Sequence, residues 1–239
     1  MIPISDDNPA RLTPVVTWGI IAACILVFFW QLSFSAQAEE ALILNSAFVP
    51  RNFFDYGSAA TLYGIPWPWY TLITSMFLHG SFLHLGGNML YLWIFGNNVE
   101  DAMGHLRFIV FYLVCGLAAA LSEGFVNPHS SLPMLGASGA ISGVLAGYVL
   151  IYPRARVTVI IPLGILLYPT KISAVYVVGF WFVLQLLNVL QLLNVGGATP
   201  DGPGTAWWAH VGGFLTGLVL TPVLSSFPLF GRQSRGPWG

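Results

Sequence analysis

Gly136-Ala-Ser-Gly-Ala-Ile-Ser-Gly-Val-Leu-Ala-Gly-Tyr148 is small and uncharged, and it opens an apolar segment that runs to Ile151 before Pro153 and Arg154. Gly139, Gly143 and Gly147 recur every fourth residue, so on a helix they form one flat face without side chains. Such faces let a second helix approach closely inside a membrane. Ser138 stands at the mouth of this helix between Gly136 and Gly139, where little bulk blocks its hydroxyl. Alone, the stretch reads as a packing helix with an incidental serine. It becomes chemistry only if the rest of the chain supplies a base.

Composition sets the environment. The chain of 239 residues is 56% hydrophobic and 7% charged, with a mean hydropathy of +0.76. That leaves too little charge to cover a water-soluble surface, so the chain reads as polytopic and its first partner is the lipid bilayer. No basic run exists to hold phosphates, which excludes a nucleic-acid partner. Cys24 and Cys115 lie in separate apolar runs and read as small buried hydrophobes, with neither a disulfide nor a metal pair implied.

Six apolar runs are long enough or placed suitably to span: about Pro14 to Phe34, Ser81 to Asn97, Leu106 to Leu121, Gly136 to Ile151, Ile172 to Val195 and Ala206 to Leu224. Ala36-Gln37-Ala38 resembles a signal-peptidase site. The run before it exceeds a usual signal core, and only Arg11 precedes it against Asp6 and Asp7, so a retained first span is expected. Residues 1–13 are polar and contain proline, and are expected to be disordered or to lie at the interface. Residues 35–77 are mixed, with Pro66 and Pro68 among Trp67, Trp69 and Tyr70, which suits a large loop embedded at one membrane face. Residues 157–168 are apolar but interrupted by Pro162 and Gly164 and followed by Pro169, and read as an interfacial connection.

With the N-terminus in the cytoplasm and six alternating spans, Arg11, Arg107, Arg154, Arg156, Lys171, Arg232 and Arg235 all fall inside, and only Arg51 falls outside. A seventh span would expel Lys171 and both C-terminal arginines. The expected organisation is a short cytoplasmic segment 1–13, a membrane domain 14–226 and a cytoplasmic tail 227–239. The expected setting is a multi-pass protein of a bacterial plasma membrane.

The histidines decide the chemistry. His105 and His129 fall in connecting turns and are expected to be solvated. His79, His84 and Asn88 cluster at the start of the second span, and His84 and Asn88 share a helical face about 40° apart. A zinc site is poorly served, because Gly-Ser-Phe-Leu separates the two histidines and no Asp, Glu or Cys completes a ligand set, so no metal and no cofactor is implied. Taken alone these residues also suit hydrogen bonding between helices. His210 opens the sixth span in Ala209-His-Val-Gly-Gly-Phe-Leu-Thr-Gly217, where Gly213 and Gly217 form a second small face. If the two glycine faces pack, Ser138 and His210 meet as a nucleophile and its base. Asn88 and His84, at the same end of the bundle, are donors of the kind that line oxyanion holes. Polar groups from three helices gathered at one depth are hard to explain as packing alone.

At these residues the chain resembles the rhomboid family of intramembrane serine proteases. The matching residues are Gly136-x-Ser138-Gly139, His79-x4-His84-x3-Asn88, Ala209-His210-x2-Gly213-x3-Gly217, and Val99-Glu100-Asp101 with Gly104. The resemblance implies an all-α bundle of six transmembrane helices with a large first loop in the membrane. It implies a Ser138–His210 dyad without a third carboxylate, in keeping with the absence of Asp or Glu from every expected span. It also implies an oxyanion site from Asn88, His84 and the Ser138 N–H, in a water-filled cavity that opens outward. His79, Gly136 and Gly139 would support that site structurally. Two departures stand out: Ser142 occupies the position of a tyrosine that stacks on the histidine in many rhomboids, and Trp69-Tyr70-Thr71 stands where many have Trp-Arg.

The reading that follows is a serine endopeptidase acting on transmembrane protein substrates, with a catalytically inactive client-binding relative as the alternative. A transporter would carry internal repeats or charges across the midplane, and neither is found. Because helical peptide bonds are shielded, substrates are expected to carry helix-weakening residues near the cut. Phe180, Trp181 and Phe182 on the fifth span are candidates for a lateral gate or for ordinary lipid-facing residues. Gly196 to Gly204 reads as a flexible cap.

Overall fold

The helix that begins at Ser138 is the axis of the molecule in the computed structural model, which describes residues 1–55, 68–164, 166–194, 206–227 and 229. Six helices stand at the six apolar runs: α1 (Val15–Gln31), α3 (Phe82–Tyr91, continued by a π turn Leu92–Gly96 and by Asn97–Met103), α4 (His105–Val126), α5 (Ser138–Ile151), α6 (Ala174–Asn194) and α7 (Trp207–Leu224). α4, α6 and α7 are long and apolar enough to cross a membrane, while α1 and α5 are shorter apolar helices. The first loop carries a further helix, α2 (Ala36–Ser46), and shorter turns. The expected cap at 196–204, the Pro66-Trp67 part of the first loop, and Arg232 and Arg235 lie outside the described residues.

α5 is central because it has almost no girth. From Gly139 to Tyr148 every residue is buried. A Cβ placed on Gly217 would come within 2.5 Å of the Gly143 carbonyl oxygen, and one on Gly213 would strike the backbone oxygen of Gly139. The two glycine faces therefore do pack, backbone against backbone, as small-residue faces allow. α4 closes the other side of α5: a Cβ on Gly139 would lie 2.6 Å from that of Ala119, and one on Gly143 2.6 Å from that of Cys115. Cys24 and Cys115 are buried free thiols.

Glu100 ties α1 to the bundle. α1 starts after Pro14 with no side-chain cap of its own, so its first N–H groups need acceptors from elsewhere. Glu100, fully buried, accepts from the Val16 N–H at 3.0 Å, the Thr17 N–H at 2.8 Å and the Thr17 hydroxyl at 2.6 Å. A carboxylate at a helix N-terminus also meets the positive end of the dipole. Its neighbour Asp101 accepts from the Arg11 and Leu12 N–H groups. His105 is not simply solvated: its Nδ1 lies 2.6 Å from Glu100 Oε1. His129 is exposed, 3.8 Å from Asp55. Gly104 makes the turn between α3 and α4 at φ 76°, ψ 159°, a conformation essentially reserved for glycine.

Among the described residues, the fold departs from the expected all-α bundle by a three-stranded sheet. Residues 157–168, read from the sequence as an interfacial connection, belong to a β-hairpin of β2 (Arg156–Leu163) and β3 (Leu166–Ser173). Val157-Thr-Val-Ile-Ile161 is a β-branched run, and Val157 and Val159 alternate into the core. The N-terminal segment is not disordered: β1 (Ile2–Asp6) adds antiparallel to β2, pairing Ile2 with Ile160 and Asp6 with Val157. Tyr148, at the far end of α5 from Ser138, donates its hydroxyl to Asp6 Oδ2 at 2.5 Å. Burial pushes the Asp6 carboxyl up to about 6, although this hydrogen bond pulls the other way.

Candidate active site

α5 presents Ser138 as its first residue, and the glycine seam fixes how near α7 can come. As a result the Ser138 Oγ lies 2.8 Å from His210 Nε2, across 72 residues of chain. His210 is buried, and its ring lies between Trp181 of α6, with centroids 5.8 Å apart, and Trp207 of α7 at 6.1 Å and nearly perpendicular. The second ring nitrogen, Nδ1, lies 2.8 Å from Oε1 of Gln185 on α6. Gln185 is buried, and its own amide nitrogen donates to the Trp181 carbonyl at 3.0 Å.

His84 and Asn88 of α3 reach the same place from the other side. A Cβ on Gly136 would lie 2.6 Å from His84 Nε2 and 3.5 Å from Asn88 Nδ2. Both nitrogens are therefore gathered over the backbone that leads into Ser138. Gly136 adopts φ 121°, which an L side chain rarely takes, and donates its N–H to the Ser75 carbonyl at 2.8 Å. Asn88 Nδ2 is buried with no hydrogen-bond partner among the described residues. A buried, unused amide donor beside a serine hydroxyl is suited to an oxygen that becomes negative. Ser138, His210, His84, Asn88, Gly136 and Trp181 line one cavity of about 1090 Å³.

His79 sits apart from that group. It is fully buried; its backbone exchanges hydrogen bonds with the side chain of Gln31 on α1, at 3.2 Å each way. Its Nδ1 lies 3.2 Å from the Phe77 carbonyl, and its ring meets that of His84 edge-on at 5.2 Å. Gly139 contributes by absence of bulk, as described above. The Ser142 hydroxyl donates to the Ser138 carbonyl at 2.6 Å within α5. Among the aromatics of α6, Phe180 is exposed, Trp181 faces His210, and Phe182 stacks on Phe214 of α7 at 4.1 Å.

Two site residues, Glu123 and Gln185, were not apparent from the sequence, and a third, Trp181, was expected in another role. α4 extends beyond the expected end at Leu121 to Val126, which puts Glu123 inside a helix after all. Its carboxylate accepts from the Ala209 N–H at 3.3 Å and from Asn127 Nδ2 at 2.6 Å, so it caps α7 one residue before His210. Gln185 is the second, and Trp181, read from the sequence as a gate or lipid-facing residue, stands beside His210. The only sequence signal for Gln185 is an amide one helical turn after an aromatic within an apolar run. The first loop is anchored without a Trp-Arg pair: the Tyr70 hydroxyl donates to the Asn45 carbonyl and Thr74 Oγ1 to the Ser46 carbonyl. Phe48 and Met134 exchange backbone hydrogen bonds, joining this loop to the segment before Ser138.

A family model described as Rhomboid domain matches residues 66–227. RHOMBOID-like protein 5 of Arabidopsis thaliana is 30% identical over 227 residues, covering 95% of this chain and 63% of its own. Rhomboid protein 1, mitochondrial, of Saccharomyces cerevisiae is 35% identical over 169 residues, covering 69% and 44%. Rhomboid-like protein 11, chloroplastic, of Arabidopsis thaliana is 29% identical over 194 residues, covering 78% and 64%. The chain thus spans between 44% and 64% of the length of these relatives. Being plant and mitochondrial proteins, they conflict with the expectation of a bacterial plasma membrane, which is not carried further. Integration into a membrane stands.

Proposed function

The chain belongs to the rhomboid family, and on that premise we propose that it is an intramembrane serine endopeptidase working through a Ser138–His210 dyad. The observation that carries this reading is the 2.8 Å contact between Ser138 Oγ and His210 Nε2 at the edge of a polar cavity. Ser138 donates its proton to His210 Nε2 as its oxygen attacks the substrate carbonyl. The tetrahedral oxyanion is held by Asn88 Nδ2, His84 and the Ser138 N–H. The imidazolium then gives its proton to the leaving amine, and a water activated by the same histidine releases the acyl group.

The bundle spans six times with both termini in the cytoplasm, and α6 is the side from which a substrate segment enters. The first loop lies in the membrane face over the cavity. The charge distribution supports this topology, with seven of the eight Lys and Arg residues on one side. A client-binding relative without activity is less well supported, since nucleophile and base are both present and in contact. The test is labelling of the purified protein by a fluorophosphonate, with Ser138→Ala as control. Labelling that depends on Ser138 is expected; an unlabelled protein, or one labelled equally without Ser138, refutes the reading.

A further inference from the structure

Resting on the protease reading above, we infer that Gln185 of α6 is a positioning residue for the base, holding His210 in the one tautomer that can take a proton from Ser138. A neutral imidazole has one N–H and one bare nitrogen, and only the bare one accepts a proton. Which is which is set by the partner of the other nitrogen. On the Ser138 side both arrangements are satisfiable, because a hydroxyl donates or accepts equally well. The choice is therefore made at Nδ1.

Gln185 makes that choice. Its amide nitrogen is committed to the Trp181 carbonyl at 3.0 Å, one turn back on the same helix. That commitment turns its oxygen toward His210 Nδ1 at 2.8 Å. An amide oxygen only accepts, so Nδ1 carries the proton and Nε2 is left bare, facing Ser138 Oγ. The same oxygen stays in place when Nε2 becomes protonated, so the imidazolium keeps its partner without rearrangement. Both Gln185 and His210 are buried, and water does not substitute readily for a lost acceptor.

The arrangement also accounts for Ser142. Many rhomboids hold the histidine by stacking a tyrosine at this position, and here the side chain is too short and is bonded to the Ser138 carbonyl. The ring is held instead by α6, with the Trp181 ring 5.8 Å away and tilted by 45°, and Gln185 at its edge. Phe182 stacked on Phe214 keeps α6 against α7 at this level.

Gln185→Leu and Gln185→Glu, in the full chain, separate this role from a structural one. Leucine suits an apolar helix but offers no acceptor. A glutamate side chain offers an acceptor oxygen at the same reach, whether or not it is ionised. The measurements are the fluorophosphonate inactivation constant kinact, the concentration for half-maximal rate, and the thermal midpoint in detergent. Gln185→Leu is expected to lower kinact on the order of tenfold or more, the worth of one buried hydrogen bond. The half-maximal concentration should stay near that of the wild type, while the midpoint falls modestly because a buried Nδ1–H is left without its acceptor. Gln185→Glu should restore most of kinact. A wild-type kinact in Gln185→Leu, or no recovery in Gln185→Glu, overturns this inference while leaving the protease reading intact. A wild type that is not labelled overturns both.

Discussion

The seam between α5 and α7 makes a sharp prediction for Gly217→Ala. The added Cβ would lie 2.5 Å from the Gly143 oxygen, 2.6 Å from its Cα and 2.9 Å from its carbonyl carbon. All three are backbone atoms of a helix, so no rotamer change relieves the clash. Ordinary contact begins at about 3.4 Å, so α7 has to retreat by about 0.9 Å. Overpacking of this kind typically costs about 1–3 kcal/mol of stability. The larger effect is on chemistry, because His210 rides on the same helix. Carrying the 2.8 Å Ser138–His210 contact outward by that amount takes it beyond hydrogen-bond range. A misplacement of about 1 Å costs on the order of 10²-fold in rate. Fluorophosphonate kinact should therefore fall about a hundredfold while the protein still folds. Gly179→Ala on α6 is the control, since nothing lies within 4 Å of its Cβ and alanine favours helix. A Gly217→Ala variant as reactive as Gly179→Ala would show that α7 can absorb the methyl group without moving His210, and the link between seam and dyad would fail.

Ser138→Ala and His210→Ala should each abolish cleavage of a transmembrane peptide, and the double variant should be no worse, because groups acting as a unit are non-additive. Residual proteolysis in Ser138→Ala, free of contaminants, would contradict that. Asn88→Ala should lower kcat on the order of 10²-fold with little change in KM, because its donor is used by the oxyanion rather than the ground-state carbonyl. A change confined to KM would remove it from that role. Asp6 binds a proton more tightly in the folded chain than its ordinary value of 3.8 implies, so its stabilising contribution is full below that value and is lost as pH rises through about 6. The thermal midpoint should fall over that window in the wild type and fall less in Asp6→Asn; equal slopes would exclude Asp6 as the group responsible.

How much of this was legible follows from where each signal resides. The apolar runs located six helices because lack of charge over a helix-length stretch is a local property. The approach of Ser138 to His210 was suggested by glycine spacing, since a face without side chains needs a matching face. Helix ends were less legible. Ser122-Glu123-Gly124 reads as polar and terminal, yet α4 continues through it because α7 offers its unpaired N–H groups to the Glu123 carboxylate. That acceptor–donor match joins residues 86 apart in sequence and leaves no local mark. The β-sheet was hidden for a related reason. Val157 to Ile161 suits a strand or a buried helix, and five residues at the N-terminus declare nothing until β2 is beside them.

Gln185 was the hardest to find, and the difficulty is instructive. Along α6 the amides Gln185, Asn188, Gln191 and Asn194 recur every third residue. At 100° per residue they drift steadily around the helix, so periodicity singles out none of them. Gln185 is buried, whereas Asn188 only returns its amide to the Leu184 carbonyl on an exposed face. Both amide nitrogens bond the carbonyl one turn back, so what separates them is the partner that the Gln185 oxygen finds across the interface, His210. The sequence did hold a clue in Ser142, too short to take the place of a stacking tyrosine. A base that has lost its expected support on one helix has to be held from another. Of the helices flanking α7, α4 brings the acceptor Glu123, whose oxygens are taken by the Ala209 N–H and by Asn127 Nδ2, whereas α6 brings an amide oxygen to His210 Nδ1. Gln185 holds the ring edge from α6, and the variants at Gln185 test that hold directly.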